Sequence, residues 1–168
     1  MIRPVTPNDA HELTALYRAN REFLAPFEPM RGDDFYTVDG QRERLEQIVR
    51  DAAAEAGWRF AIVDDGAIVG TINVSDVVRG PMQLANVGYW VAREHNGRGL
   101  ATQAVADVIE FAFGEAGLHR LEAGTLPDNV ASQRVLEKNG FERFGFAHKL
   151  LFIGGEWTDH VLFERLAD

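Results

Sequence analysis

Tyr89-Trp90-Val91-Ala92-Arg93-Glu94-His95-Asn96-Gly97-Arg98-Gly99-Leu100-Ala101-Thr102 is the stretch whose reading decides the fold. Tyr89 to Val91 reads as the end of a strand, and by Thr102-Gln103-Ala104 the pattern is helical, so Gly97 and Gly99 occupy the turn between them. A helix start exposes unpaired N–H groups and about half a positive charge, and glycines let a pyrophosphate approach the backbone closely. Arg98 adds charge at the rim. Two readings stay open on the loop alone: a phosphate cradle, or a plain strand-to-helix turn. The nucleoside-triphosphate pattern needs Gly-Lys-Ser/Thr, which is absent. The dinucleotide pattern wants a third glycine where Thr102 stands, although Glu122 lies about where its ribose-binding acid belongs.

The segments upstream decide against the dinucleotide reading. Trp58 to Val63, Ala67 to Val78 and Leu84 to Val91 read as three strands, with Asp64-Asp65-Gly66 as a tight turn, so the loop follows an antiparallel meander. A dinucleotide fold needs repeated strand-helix-strand units instead. Further upstream, Ile2 to Val5 is a strand candidate, and Asn8 or Asp9 caps a helix carrying Leu13, Leu16, Tyr17, Phe23 and Leu24 until Pro26 stops it. A second helix is predicted from about Gly40 to Ala56, ending at Gly57. Downstream of Gly99 two adjacent apolar stripes, Leu100, Ala104, Val108, Ala112 and Ala101, Val105, Ile109, Phe113, predict a helix that buries a wide face. Leu118 to Thr125 reads as a strand, Asn129 to Asn139 as a short helix, and Phe141 to Ile153 with Trp157 to Leu166 as a hairpin across Gly154-Gly155. Trp58, Phe60, Phe111, Phe113, Phe141 and Trp157 are expected in the core.

With 168 residues and no internal repeat or linker, residues 1–168 read as one domain. No apolar run is long enough to span a bilayer, and the start passes at once into Asp9 and Glu12 rather than into a signal-peptide profile, so a cytoplasmic home is expected. Cysteine is absent, and His11, His95, His119, His148 and His160 show no metal-ligand spacing, so no metal is expected. The net charge of -9 opposes counterion release, so nucleic-acid binding is not expected; an acidic surface suits a basic partner or serves solubility.

The loop resembles the acetyl-CoA signature of the GNAT acetyltransferase superfamily, a Gln or Arg, two free positions, Gly, one free position, then Gly or Ala. Here those positions are Asn96, Gly99 and Ala101, with Asn96 departing from the pattern. A second family element follows as Asp128-Asn129-Val130-Ala131-Ser132 and Val135-Leu136-Glu137-Lys138-Asn139-Gly140-Phe141. More narrowly, the chain resembles RimJ/RimL-type acetyltransferases of ribosomal-protein N-termini, the RimJ side more closely. The matching segments include Asn20-Arg21-Glu22-Phe23-Leu24, Phe27-Glu28-Pro29, Leu118-His119-Arg120-Leu121-Glu122-Ala123 and Trp157-Thr158-Asp159-His160-Val161-Leu162.

The resemblance implies a mixed α/β fold, a mostly antiparallel splayed sheet of about seven strands flanked by about four helices, with pantetheine between the fourth and fifth strands. It implies acetyl-CoA as co-substrate. The backbone of Tyr89 and Val91 would bond the acetyl carbonyl and pantetheine, and Gly97, Arg98, Gly99, Leu100, Ala101 and Thr102 would hold the pyrophosphate beside Asn96. Asn129 would bond the pantetheine arm, a role compatible with capping a helix. Ser132 would protonate the departing thiolate, or else only satisfy its own backbone. As side chains, Tyr89 and Trp90 read as ordinary strand residues. Some RimL-type relatives carry a glutamate near Leu151, which is apolar here, so no general base is assigned. An α-amine of pKa about 8 needs a base less than a lysine near 10.4 does, which favours N-terminal amines. Glu28, Asp76 and Glu156 are acids available to attract a cationic acceptor.

The expected function is therefore direct acetyl transfer to a primary amine in a ternary complex, preferably a protein N-terminus. A small-molecule amine and a non-catalytic acyl-CoA-binding module are the alternatives, and a homodimer is compatible with each.

Overall fold

Asp65 and Gly66 both take positive φ, the geometry a two-residue hairpin demands, and so join β2 (Trp58–Asp64) to β3 (Ala67–Val78). The computed structural model describes residues 1–167; Asp168, the last residue of the expected domain, lies outside them. β4 (Leu84–Val91) completes the antiparallel meander, and β1 (Ile2–Pro4) lies along β2 with Ile2 opposite Ile62. The spans of β3 and β4 are those read from the sequence.

Two helical layers cover the meander. α4 (Leu100–Glu110) lays Ala104, Val105 and Val108, all fully buried, against Phe60, Ile72 and Leu121 on one face. Each buried aliphatic side chain of valine or leucine size contributes roughly 1.5–3 kcal/mol, and Ala104 and Ala112 let the helix approach the sheet closely. Its last turn widens into a π-turn over Phe111–Glu115. α1 (Ala10–Ala19) and α3 (Val38–Ala53) cover the opposite face, where Leu13, Tyr17 and Leu45 meet Ala61 and Ile68.

Three helix boundaries differ from expectation, one through a distant partner and two for local reasons. The first predicted helix breaks at Asn20, whose Nδ2 donates to Leu16 O while its Oδ1 accepts from Arg93 N, leaving α2 (Arg21–Leu24) as a single turn. α3 starts before Gly40 because Thr37 Oγ1 caps it by accepting from Gly40 N at 3.0 Å. It ends before Gly57 because Glu55 already turns to a φ of 54°.

After α4 the chain enters β5 (Arg120–Thr125), then α5 (Val130–Lys138), β6 (Glu142–Ile153) and β7 (Glu156–Leu166), giving a seven-stranded sheet of order β1-β2-β3-β4-β5-β7-β6. β4 and β5 form the one parallel pair, and it extends only over Leu84, Ala85 and Asn86 opposite Arg120, Leu121 and Glu122. Beyond Asn86 the two strands part.

Trp157 corrects the expected core: it is 60% exposed. β7 pairs with β5 only from Val161 onward, so among the described strands the part of β7 nearest the Gly154-Gly155 turn has β6 as its one strand neighbour. There Trp157 packs edge-on against Phe152, also exposed, with ring centroids 5.6 Å apart. Phe60 and Phe141 are buried, and Trp58, Phe111 and Phe113 are half-buried against the α4 core.

Candidate active site

The early end of the β4–β5 ladder leaves one edge of Val87 to Val91 without a strand partner, while its other edge stays bonded to β3. Backbone N–H and C=O groups must find partners, so this interior edge is open to an extended ligand. The chain leaves β4 and β5 at the same end of the sheet, and the N-termini of α4 and α5 therefore both flank the gap. That is where an open α/β sheet gathers helix-terminal N–H groups.

At the α4 side, Gly97 and Gly99 have φ of 77° and 80°, a region costly for any residue with a Cβ, and the space beside both is open. The first bond into the helix runs from Gln103 N to Gly99 O at 3.0 Å, so the N–H groups of Leu100, Ala101 and Thr102 have no partner within the helix. Leu100 is buried and anchors the turn. Arg98 is already engaged: its Nη1 lies 2.6 Å from Asp64 Oδ2 and 3.0 Å from His95 Nδ1, which accepts. Asn96 is exposed and closes the short turn Arg93–His95 through its own N–H. The cradle of glycines and free helical N–H groups fits a pyrophosphate.

At the α5 side, Asn129 caps the helix by accepting from Ser132 N at 3.2 Å. The Ser132 hydroxyl does not turn back on its own backbone. Its Oγ lies 2.9 Å from the Tyr89 hydroxyl, which also donates to Ser132 O at 3.1 Å. The side chain read as an ordinary strand residue thus reaches from β4 to the first turn of α5. Burial pushes the Tyr89 phenol up to about 12, against the lowering effect of the Ser132 bond, so it stays protonated through neutral pH. A signal for this contact was present: Tyr89 shares a strand face with buried Val87 and Val91, and a phenol on a core face needs a partner. Asn139 fixes the distance between the two helices, its Nδ2 donating to Thr102 O at 3.1 Å and to Val135 O.

Trp90 points to the opposite face of the sheet, stacked on Tyr17 at 4.9 Å with its indole N–H donating to the Tyr17 hydroxyl. Beside it a cavity of about 280 Å³ is walled by Glu28, Arg31, Arg59, Thr71 and Asn73. A second, of about 290 Å³, shares Glu28 and Arg31 and extends to Gly154. Burial raises the Glu28 carboxyl above its ordinary value, and Arg31 and Arg59 oppose the rise. Of the three acids singled out, only Glu28 lines these cavities. Asp76 sits in a bulge of β3 and accepts from Asn86 Nδ2, while Glu156 and Leu151 lie exposed on the β6–β7 hairpin. Among the described residues no group of three His, Asp or Glu side chains is placed to hold a metal, and no helix is long and apolar enough to cross a membrane.

Residues 1–142 match the family model described as an acetyltransferase (GNAT) domain. The chain is 41% identical over 161 residues, 95% of it and 89% of the relative, to the probable N-acetyltransferase YjcK of Bacillus subtilis. It is 34% identical to the [ribosomal protein uS5]-alanine N-acetyltransferase of Escherichia coli, over 96% of this chain and 84% of that one. Among solved structures, Mycobacterium smegmatis RimJ in complex with CoA-disulfide superposes with a TM-score of 0.95 at 32% identity, covering 99% of this chain and 81% of that one.

Proposed function

We propose, for a chain that belongs to the GNAT acetyltransferase family and is an acetyl-CoA-dependent N-acetyltransferase, that the acceptor is the N-terminal α-amine of a protein and that residues 1–168 act as one catalytic domain. The observation that carries the acceptor reading is the pair of cavities sharing Glu28 and Arg31, one bordered by Trp90 and the other by Gly154, which together offer more room than a small amine fills. The 34% identity to an enzyme named for a ribosomal-protein alanine supports the same class.

The co-substrate supplies an acyl thioester whose carbonyl carbon accepts a nucleophile. Gly97, Gly99 and the N–H groups of Leu100, Ala101 and Thr102 hold its pyrophosphate, with Asn96 and Arg98 at the rim. Val91 and Asn129 border the pantetheine arm, and the Tyr89 N–H offers a donor for charge developing on the carbonyl oxygen. α4 and α5 fill the Tyr89 face, so the amine enters from the Trp90 face. Its nitrogen lone pair forms the new N–C bond while the C–S bond breaks with its electrons on sulfur. Ser132 Oγ–H delivers a proton to that sulfur and regains one from solvent water, Tyr89 orients the hydroxyl, and the amine releases its own proton to solvent water, so the exchange leaves the serine neutral. The α-amine, with pKa about 8, is neutral in roughly a tenth of molecules at pH 7, which removes the need for a strong base.

Thiol release from acetyl-CoA with Ala-starting peptides, beside isothermal titration of acetyl-CoA, tests this reading. Peptide-dependent release with an acetylated N-terminus in the product is expected. Release with small amines alone moves the acceptor to that class, and binding without release from any amine makes the chain a non-catalytic acyl-CoA module.

A further inference from the structure

We infer that the cavity beside Trp90 is a subsite for a carboxylate on the acceptor, carried by the second or third residue of the peptide and held by Arg59 with Arg31 and Arg44. The inference rests on the acceptor reading above and names a chemical feature that reading leaves free.

The charge balance of the cavity runs against that of the chain. Asp and Glu outnumber Lys and Arg by 26 to 17 overall. Yet this one cavity brings Arg31, Arg44 and Arg59 together around a single carboxylate, Glu28. Such a concentration of guanidinium groups is unfavourable unless an anion offsets it, because like charges in a partly dry pocket repel.

The three arginines are also incompletely matched. Arg31 reaches Glu28 only at 3.9 Å. Arg44 bonds Asp34 at 3.1 Å, but that carboxylate is 70% exposed and held loosely. Arg59 is the strongest case, since its Nε is buried and makes no hydrogen bond among the described residues. A buried charged donor without an acceptor is costly, and an incoming carboxylate supplies the missing partner in the planar geometry guanidinium favours.

Register places the subsite relative to the reaction. Arg59 on β2 stands opposite Asn73 on β3, and Asn73 stands opposite Gly88 on β4, within the part of β4 that faces the gap. Gly88 has no side chain and the Asn73 carboxamide lies over it, so the row from Arg59 to the gap edge presents one polar side chain to an acceptor passing above. Two strand spacings make it about 10 Å long, and an extended peptide advances about 3.3 Å per residue. That span is about three residue steps, and the lengths of the Arg59 side chain and of the acceptor's own carboxylate side chain shorten it, so the second or third residue carries the carboxylate to Arg59. The α-carboxylate of a free amino acid, adjacent to its own amine, falls short.

The test compares thiol release for four peptides, Ala-Asp and Ala-Ala-Asp starts against their Ala-Asn and Ala-Ala-Asn counterparts, together with free alanine. At least a tenfold higher kcat/KM is expected for one acidic peptide over its amide twin. That ratio should fall toward one in Arg59→Gln and, as a second variant on an exposed side chain, in Arg31→Gln. Because the ratio is taken within each variant, a general loss of folded protein cancels. Equal rates for acidic and amide peptides, or a ratio that survives both substitutions, overturns the subsite and leaves the N-terminal acceptor standing. Faster release with free alanine overturns the peptide placement, and release with no peptide overturns both readings.

Discussion

Tyr89 and Ser132, 43 positions apart in sequence, meet with hydroxyl oxygens 2.9 Å from each other across the opening between β4 and α5. If Ser132 is the proton donor to sulfur, Ser132→Ala lowers kcat by roughly 10²-fold, the lower end of what a positioned acid contributes. Affinity for acetyl-CoA stays close to wild type. Tyr89→Phe removes only the orienting bond, and a smaller loss of roughly threefold to tenfold is expected. Thiol-release kinetics beside isothermal titration separate these effects, and wild-type kcat in Ser132→Ala returns the serine to a structural role.

Gly99 carries a φ of 80° with open space where a Cβ would project. Gly99→Ala strains the turn by roughly 1–2 kcal/mol, and Gly99→Trp also fills the space beside the free helical N–H groups. Titration should show acetyl-CoA binding weakened modestly in the first and at least tenfold in the second. Unaltered affinity in Gly99→Trp removes the loop from the cofactor assignment.

Asn139, just past the C-terminal end of α5, ties that helix to the first turn of α4 through its bond to Thr102 O and bonds Val135 O within its own helix. Asn139→Ala removes two bonds of roughly 0.5–1.5 kcal/mol each. For a chain of this size that is a fall in Tm of about 2–12 °C. It should be accompanied by weaker acetyl-CoA binding, because the cradle and the pantetheine border lose their fixed spacing. Scanning calorimetry with and without acetyl-CoA measures both.

Asp9 accepts a two-pronged bond from Arg3, at 2.8 and 2.9 Å, and a third from Thr6 N. The Arg3 bonds lower its carboxyl below the usual value, burial works the other way, and the Thr6 N–H adds to the lowering. The folded chain therefore binds this proton less readily than the unfolded chain. The stabilisation is fully present above the ordinary aspartate value of about 3.9 and is lost as pH falls through the lower folded value. Asp9→Asn is expected to cost about 1–3 kcal/mol at pH 7 and much less near pH 2, by urea denaturation at the two pH values. An equal cost at both removes the charge from the explanation.

Period and turn chemistry made most of this architecture legible. Apolar and β-branched runs bounded by turn residues mark β3 and β4 to the residue, Asp65-Gly66 marks the hairpin that joins β2 to β3, and the double stripe after Gly99 marks the helix that spans the core. The glycine loop and the Asn129 cap were legible for the same reason, since both are local. What sequence did not disclose depends on partners far away in the chain. Asn20 breaks a helix by binding Arg93, Trp157 is exposed because its strand outruns β5, and Tyr89 finds Ser132 only once the fold is formed. The cavity arginines likewise come from three separate elements and resemble ordinary surface cations when read in line.

The short parallel contact between β4 and β5 makes the sheet a ladder with missing rungs. On the proposed placement, an extended ligand arm lying along Val87 to Val91 would supply some of them, making the co-substrate part of the secondary structure while it is bound. Saturation at a hundred times Kd adds about 2.7 kcal/mol to folding, and the seam should be the first place to exchange amide hydrogens when the ligand leaves. The abundance of this protein in a cell would then follow the acetyl-CoA supply through proteolysis of the opened form, with no change in its synthesis.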